Sequence, residues 1–172
     1  AGAMMVVVQN SGAVQLEAGD VVAAVGLSAP LAGNELSVPL VQRADADHTA
    51  VIGVVFSRFT VEEKVSEVER DGEVEQRTEW EARGVEGPAA PGDYVLIVVL
   101  GVAEVKVEST TGTITAGQHL AVSGISGHAR TLQTRMMDGM IVSESAPTVG
   151  VALESLDVGQ GTGTISVFIT LR

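Results

Sequence analysis

Tyr94-Val95-Leu96-Ile97-Val98-Val99-Leu100-Gly101-Val102-Ala103-Glu104-Val105-Lys106-Val107-Glu108 holds two hydropathy patterns end to end. From Val105 onward apolar and polar residues alternate, the period-two signature of a strand with one wet face. Tyr94–Leu100 does not alternate: it is seven successive apolar residues, four of them β-branched. Such side chains lose rotamer freedom in a helix and pack well on a pleated sheet. A strand apolar on both sides must be covered on both faces, by a second sheet, by a neighbouring subunit, or by both. Tyr94, Leu96, Val98 and Leu100 are therefore the expected self-association surface. The ten-residue apolar run Tyr94–Ala103 is about half the ~20 residues a membrane helix needs, so no membrane insertion is expected.

The same chemistry extends along the chain. There are 29 valines and 20 glycines against 3% aromatics. Apolar runs are short and are bounded by turns such as Ala18-Gly19-Asp20 and Pro91-Gly92-Asp93. Strands are predicted at Met5–Val8, Val21–Val25, Glu35–Val41, Ala50–Phe59, Asp93–Leu100, Val102–Glu108, His119–Val122, Arg130–Thr134, Gly139–Val142, Thr148–Ser155 and Thr164–Leu171. Gly159-Gln160-Gly161-Thr162-Gly163 should fold the last of these back on Val149–Leu156. The expected fold is all-β: a β-sandwich or a β-clip-like barrel with an internal duplication and a long charged hairpin. Ala1–Met4 reads as a remnant ahead of a single domain at 5–172.

Residues 60–86 hold ten of the 22 acidic residues and four basic ones, so they carry −6 of the chain's net −12. Asp71-Gly72 at their centre is a hairpin signal. The segment reads as a long, solvated β-hairpin with Trp80 near its base; a charged helix over Val61–Arg70 is the alternative. As chemistry, a charge run can bind cations or a basic partner, although most such runs are solvated faces.

The duplication lies on either side of that hairpin. Gly19-Asp20-Val21-Val22 is followed 34 residues later by Gly53, and Gly117-Gln118-His119-Leu120 is followed 33 residues later by Gly150. A glycine-centred turn sets a strand start, and a mid-strand glycine marks a bulge or a close backbone approach. Two half-repeats, about 14–59 and 112–157, share one supersecondary plan.

Taken in order, Gly19-Asp20-Val21-Val22, Val51-Ile52-Gly53-Val54-Val55, Pro91-Gly92-Asp93, Leu100–Val107, Ile114–Leu120, Ser126-Gly127-His128-Ala129, Val149–Glu154 and Gly163–Ile169 resemble a β domain of bacteriophage tail-fibre and appendage proteins and of bacterial surface proteins. Phage head-decoration proteins have a similar strand-and-turn rhythm, and some relatives sit beside self-cleaving fibre modules. The resemblance covers 14–172 apart from the hairpin. Gln118 replaces the Asp expected after the glycine, and His119 replaces an apolar or small residue. The resemblance implies a homotrimer that presents a surface in a virion or at a cell surface, with other virion or surface proteins as partners.

Chemistry is sparse. With no cysteine, disulfides, thiolate metal sites and a Cys nucleophile are excluded. A net charge of −12 argues against nucleic acid, whose binding needs clustered Lys and Arg. Of His48, His119 and His128, the pair His119 and His128 is the weak metal candidate, needing convergence across a turn and a carboxylate. Asp45-x-Asp47 lacks the glycine and distal glutamate of a calcium loop. Ser123, Ser126 and Ser143 lie near histidines in sequence with Asp138 available, but no Gly-x-Ser-x-Gly elbow occurs, and the Ser-Gly pairs read as turns. No phosphate or dinucleotide glycine motif precedes a helix, so no cofactor is expected. Three functions remain: a non-enzymatic structural domain of a fibre, virion or appendage; a receptor- or protein-binding module using the acidic hairpin and turn loops; and an autoproteolytic module. For the last, Asn10-Ser11 and Asn34-Glu35 are the only Asn bonds, and neither has an evident activating neighbour.

Overall fold

The computed structural model describes residues 2–30, 37–47, 50–110 and 112–171, with the side chains of Val61, Glu63 and Trp80 left out. Its elements are β1 (Ala3–Asn10), β2 (Val21–Leu27), β3 (Pro39–Arg43), β4 (Val51–Arg70), β5 (Glu73–Val85), β6 (Tyr94–Glu108), β7 (His119–Val122), β8 (Ala129–Thr131), β9 (Thr134–Met137), β10 (Met140–Ser143), β11 (Thr148–Ala152) and β12 (Thr162–Thr170). The chain is all-β, with no helix among the described residues. Ten strands form one mixed sheet, and β9 and β10 pair only with each other.

That sheet curls twice. In the first half the pairing runs β1–β3–β2–β4–β6 and returns to β1; in the second it runs β6–β8–β7–β11–β12 and returns to β6. The parallel contacts that complete each circuit are short: Gln9↔Leu40 and Asn10↔Val41 in one, Val107↔Ala129 in the other. Each half is thus a tightly wound sheet rather than a fully zipped barrel. β6 is shared, its first part antiparallel to β1 and its second to β12.

The duplication is visible bond by bond. Val22 faces Gly53 between β2 and β4, and Leu120 faces Gly150 between β7 and β11. Gly19 N–H donates to Val55 O at 2.9 Å, and Gly117 N–H donates to Ala152 O at 2.7 Å. The Asp20 carboxylate accepts from Glu17 N–H, and the Gln118 amide oxygen accepts from Thr115 N–H. Leu16 bridges Ala89 as Ile114 bridges Leu156. The mid-strand glycines have a steric cause: a Cβ on Gly53 would lie 2.7 Å from Val98 O, and one on Gly150 2.1 Å from Phe168 O.

β6 explains the dry run differently from the expectation. Two predicted strands are one, continuous through Gly101 (φ +112°), where a Cβ would lie 2.2 Å from Gly2 O. The first part of β6 lies between β1 and β4. Val95 and Ile97 enter a core with Val8, Leu16, Val22, Val41, Val55 and Ala89. The register against β1 then shifts between Met4 and Met5, and Val98 enters the larger core with Val54, Val105, Val149 and Ile169. One chain therefore buries Val95, Ile97 and Val98, on both faces of the run, by serving two cores with one strand, while Tyr94, Leu96 and Val99 stay half-buried and Leu100 exposed. Met4 pairs with Leu100 and Ala3 with Gly101, so β1 begins two residues ahead of the expected boundary at residue 5.

Other boundaries shifted. Glu35 and Leu36, the start of one predicted strand, lie outside the described residues, Ser37 and Val38 are not strand, and β3 runs two residues beyond the predicted end at Val41. Arg130–Thr134 and Gly139–Val142 are replaced by β8 and the β9–β10 hairpin.

Candidate interaction surfaces

Of the expected self-association residues, Val98 is fully buried in its own chain's core, Tyr94 and Leu96 are half-buried, and Leu100 alone is exposed. Val98 is therefore not an interface residue. Leu100 instead joins an apolar seam where the two halves meet. It pairs with Met4 on one side and Thr170 on the other, while Val102 pairs with Phe168. Met4, Phe56, Leu100, Val102 and Phe168 are 41–60% exposed. Phe56 and Val102, with Ala18, Val55, Glu104 and Ser166, line a pocket of about 280 Å³ in this seam. Glu104 is exposed and makes no hydrogen bond or ion pair among the described residues.

Two hairpins stand out from this body. β4 and β5 stay paired from Arg58↔Val85 to Arg70↔Glu73. Asp71 (φ +55°) and Gly72 (φ +80°) form the tip, the two positive φ values a type I′ turn requires. This is the hairpin expected from Asp71-Gly72, and the helical alternative over Val61–Arg70 does not form. Trp80 stands opposite Glu63, partway up the arm. The described side chains of both strands are exposed from Glu62 to Gly84. Most of the arm's basic groups are already paired within it: Lys64 to Glu81 at 2.9 Å, Arg77 to Glu79 at 3.4 Å and Arg83 to Glu62 at 3.5 Å. The Lys64 ammonium, through its hydrogen bond and charge, holds the Glu81 carboxyl below its usual value.

The second hairpin was half seen in the sequence. β9 and β10 pair Met137↔Met140, Met136↔Ile141, Arg135↔Val142 and Thr134↔Ser143 around Asp138 (φ +50°) and Gly139 (φ +81°). Met136, Met137, Met140 and Ile141 are 45–74% exposed. Asp138-Gly139 is the same signal as Asp71-Gly72; its flanks, methionine-rich and not alternating, hid the incoming strand. Arg135 is exposed and, like Glu104, has no partner among the described residues.

The polar interior is structural. Asp20, fully buried, meets Arg43 at 3.2 Å and Lys106 at 3.0 Å, and Lys106 also meets Glu17 at 2.8 Å. Lys106 lies on the second part of β6, so this cluster ties the first half to the second. The Lys106 hydrogen bond and charge hold the Glu17 carboxyl below its usual value. Glu108, nearly buried, accepts from the hydroxyls of Ser123 (3.0 Å) and Thr110. Arg130 grips Glu144 with two N–H donors, and that bond holds the Glu144 carboxyl low.

These contacts also place the remaining sequence candidates. The Ser123 hydroxyl is committed to Glu108 and accepts from Ile125 N–H. Ser126 and Ser143 are exposed and Asp138 sits in a hairpin turn; His119 and Ser143 line one pocket with Gln118 and Thr134, a lining that holds no Asp or Glu among the described residues. His119 and His128 lie at opposite ends of the β7–β8 pair: His119 O accepts from Leu132 N–H, while His128 O accepts from Ser123 N–H. The His128 Nδ1 faces Ser126 O at 2.9 Å. The convergence a metal needs is therefore missing for this pair, and His48 lies outside the described residues. Asp45 accepts from Asp47 N–H in a local turn. Asn10 is buried, its amide donating to Val14 O and Ala89 O; Asn34 and Glu35 lie outside the described residues. No family model, curated protein or solved structure matches the chain.

Proposed function

We propose that the chain is a non-enzymatic structural domain that self-associates, as a building unit of a phage or bacterial surface fibre, virion or appendage, with a trimer as the expected form. The observation that carries this reading is the pair of hairpins projecting from the wound body, each exposed on both faces. A lone two-stranded hairpin is marginally stable in water. Arms of this kind gain most when a neighbour covers them. The exposed apolar seam points the same way, since contiguous apolar patches on a soluble surface mark contact sites. The resemblance in strand and turn order supplies the fibre or virion setting and the number three.

Light scattering on the purified chain at micromolar concentration tests the reading. A discrete oligomer is expected, and a monomer throughout would overturn it. The acidity of the β4–β5 arm favours a second reading, a binding module for a basic partner. Deleting residues 62–84 separates the two: loss of partner binding with assembly intact favours the binding module.

A further inference from the structure

The root of the long arm holds a cation with no counterpart. Arg58 pairs in register with Val85 on one side and Val95 on the other, so the three share a face of the sheet. Val95 belongs to the core with Leu16, Val55 and Ala89, and Arg58 therefore stands at the end of that core. Its Nε is buried without a hydrogen-bond partner, and the guanidinium meets no acid among the described residues. A charge held out of water without a counter-charge is costly. The neighbouring charges are committed elsewhere: Arg83 meets Glu62 at 3.5 Å, and Glu17 meets Lys106 at 2.8 Å.

Arg58 lines a cavity of about 390 Å³, in the lower part of the roughly 300–1,000 Å³ range of small-molecule sites. Leu16, Ala18 and Val55 of the body and Val85 of the arm give it apolar walls. Among the described residues, its charged lining is Arg58 and Glu86, the latter in the bend that follows β5. Glu86 is exposed; it forms no ion pair with Arg58 or with any other described residue. Ser57 also borders the cavity, but its register opposite Leu96 turns its side chain to the other face of β4, and no ligand contact is assigned to it. One cation and one anion, not joined to each other, thus border a single apolar hollow.

We propose that this cavity binds a zwitterionic small molecule, an α-amino acid with a branched aliphatic side chain. Its carboxylate accepts from Arg58, its ammonium donates to Glu86, and its side chain packs on Leu16, Val55 and Val85. A simple anion would pair with Arg58 but bring its charge towards Glu86, and a simple cation the reverse. An uncharged apolar molecule would leave the buried Nε unpaired, which is the costly state. A molecule with both charges on one carbon and an aliphatic tail meets all three demands. The site goes beyond the self-assembly reading and does not depend on it. Because its walls come from both the body and the returning strand, an occupant ties the root of the arm to the body.

Calorimetric titration of the full chain with L-leucine, isocaproate and isopentylamine tests the site, with circular dichroism as the folding control. L-leucine should bind one to one and raise the Tm, as a ligand of the folded state does. Isocaproate lacks the ammonium and isopentylamine the carboxylate; each should bind about tenfold or more weaker, as when one partner of a charge pair is removed. Arg58→Gln should abolish leucine binding. Glu86→Gln, at an exposed position that spares the fold, should lower leucine to the affinity of isocaproate and leave isocaproate itself unaffected. The losses from removing the ammonium and from Glu86→Gln should not add, since both delete one contact, and a merely structural role for Glu86 would not produce that. No saturation with L-leucine by about 10 mM would overturn the proposal. So would equal affinity for leucine and isocaproate, which would mark a site for carboxylates alone. Binding of isocaproate by Glu86→Gln, with no leucine binding by wild type, would show Arg58 and Glu86 closing on each other and would overturn it as well. Light scattering reads self-assembly separately, so failure of one reading is distinguishable from failure of the other.

Discussion

Gly150 offers the sharpest test of the duplicated architecture. A Cβ at this position falls 2.1 Å from the Phe168 carbonyl oxygen, 2.9 Å from its carbon and 3.1 Å from Ile169 Cα. All three atoms are backbone, so no side chain can rotate aside; β11 and β12 must separate by about 1 Å to restore ordinary contact in a close-packed interior. The separation would open the register Gly150↔Ile169, Val151↔Phe168 and Ala152↔Val167, beside the buried Val149, Val167 and Ile169. Overpacking of a well-filled core costs about 1–3 kcal/mol, and an immovable backbone obstacle puts Gly150→Ala near ~3 kcal/mol. At about 2–4 °C per kcal/mol for a chain of this size, the expected fall in Tm is about 6–12 °C. Gly53→Ala meets Val98 O at 2.7 Å, but its second contact, Ile97 Cδ1 at 2.9 Å, can turn away. Its cost should be smaller, about 1–2 kcal/mol. Gly124, with nothing within 4 Å, is the control, and its alanine variant should stay within about 0.5 kcal/mol of wild type. Urea unfolding followed by circular dichroism reads all three. Coincident midpoints for the Gly150 and Gly124 variants, or a larger loss for Gly53 than for Gly150, would refute the reasoning.

Three further outcomes follow from the polar contacts and the long arm. Asp20→Ala removes the buried carboxylate that Arg43 and Lys106 share, and should cost about 3–5 kcal/mol in urea unfolding. Gln118→Ala, at the equivalent but exposed position, should cost about 1 kcal/mol. The carboxyls of Glu17 and Glu144 sit below their usual value because Lys106 and Arg130 bind their charged forms. That stability is complete above the unfolded carboxylate pKa and is lost as pH falls through the depressed folded values. Glu144→Gln should therefore flatten the acid limb of a Tm-against-pH profile and change the slope near neutrality little. Excising residues 62–81 removes a segment whose described side chains are all exposed, so the Tm of the body should move by no more than a few degrees; collapse of the fold would show that the arm packs on it.

What could be read in the sequence was what local backbone geometry imposes. Asp71-Gly72 announced a hairpin because a type I′ turn needs two positive φ values, which this dipeptide tolerates. The repeat was legible because its glycines sit where a turn or a neighbouring carbonyl leaves no room for a Cβ. The cover of Tyr94–Leu100 was not legible, because it comes from packing against Val8, Leu16, Val22 and Val41 in one core and Val149 and Ile169 in the other, residues far away in sequence. A run apolar on both faces looks the same whether its cover is a second copy or two cores of its own chain. Nor could the sequence show that Asp20 and its replacement Gln118 differ in kind. Both cap the same turn, yet only Asp20 is buried against two cations from other strands. Only β9, the incoming strand of the tip, escaped, for a third reason: Thr134–Met137 is exposed throughout and carries no alternation to mark a buried face.

The two halves share a plan but are interrupted at different points. In the first, the arm extends β4 after the turn-locking Val55 and returns as β5 before β6. In the second, the hairpin interrupts the link between β8 and β11, ahead of the matching Ala152. A bare duplicated body would offer two similar surfaces, suited to contacts between like patches. The insertions break that equivalence: one half carries a long acidic arm and the other a short apolar tip. Contacts between unlike surfaces repeat in rings or filaments, whereas contacts between like patches close as dimers. The net −12 on each copy opposes contact between copies, so any association has to place apolar area such as the seam where its burial offsets that repulsion.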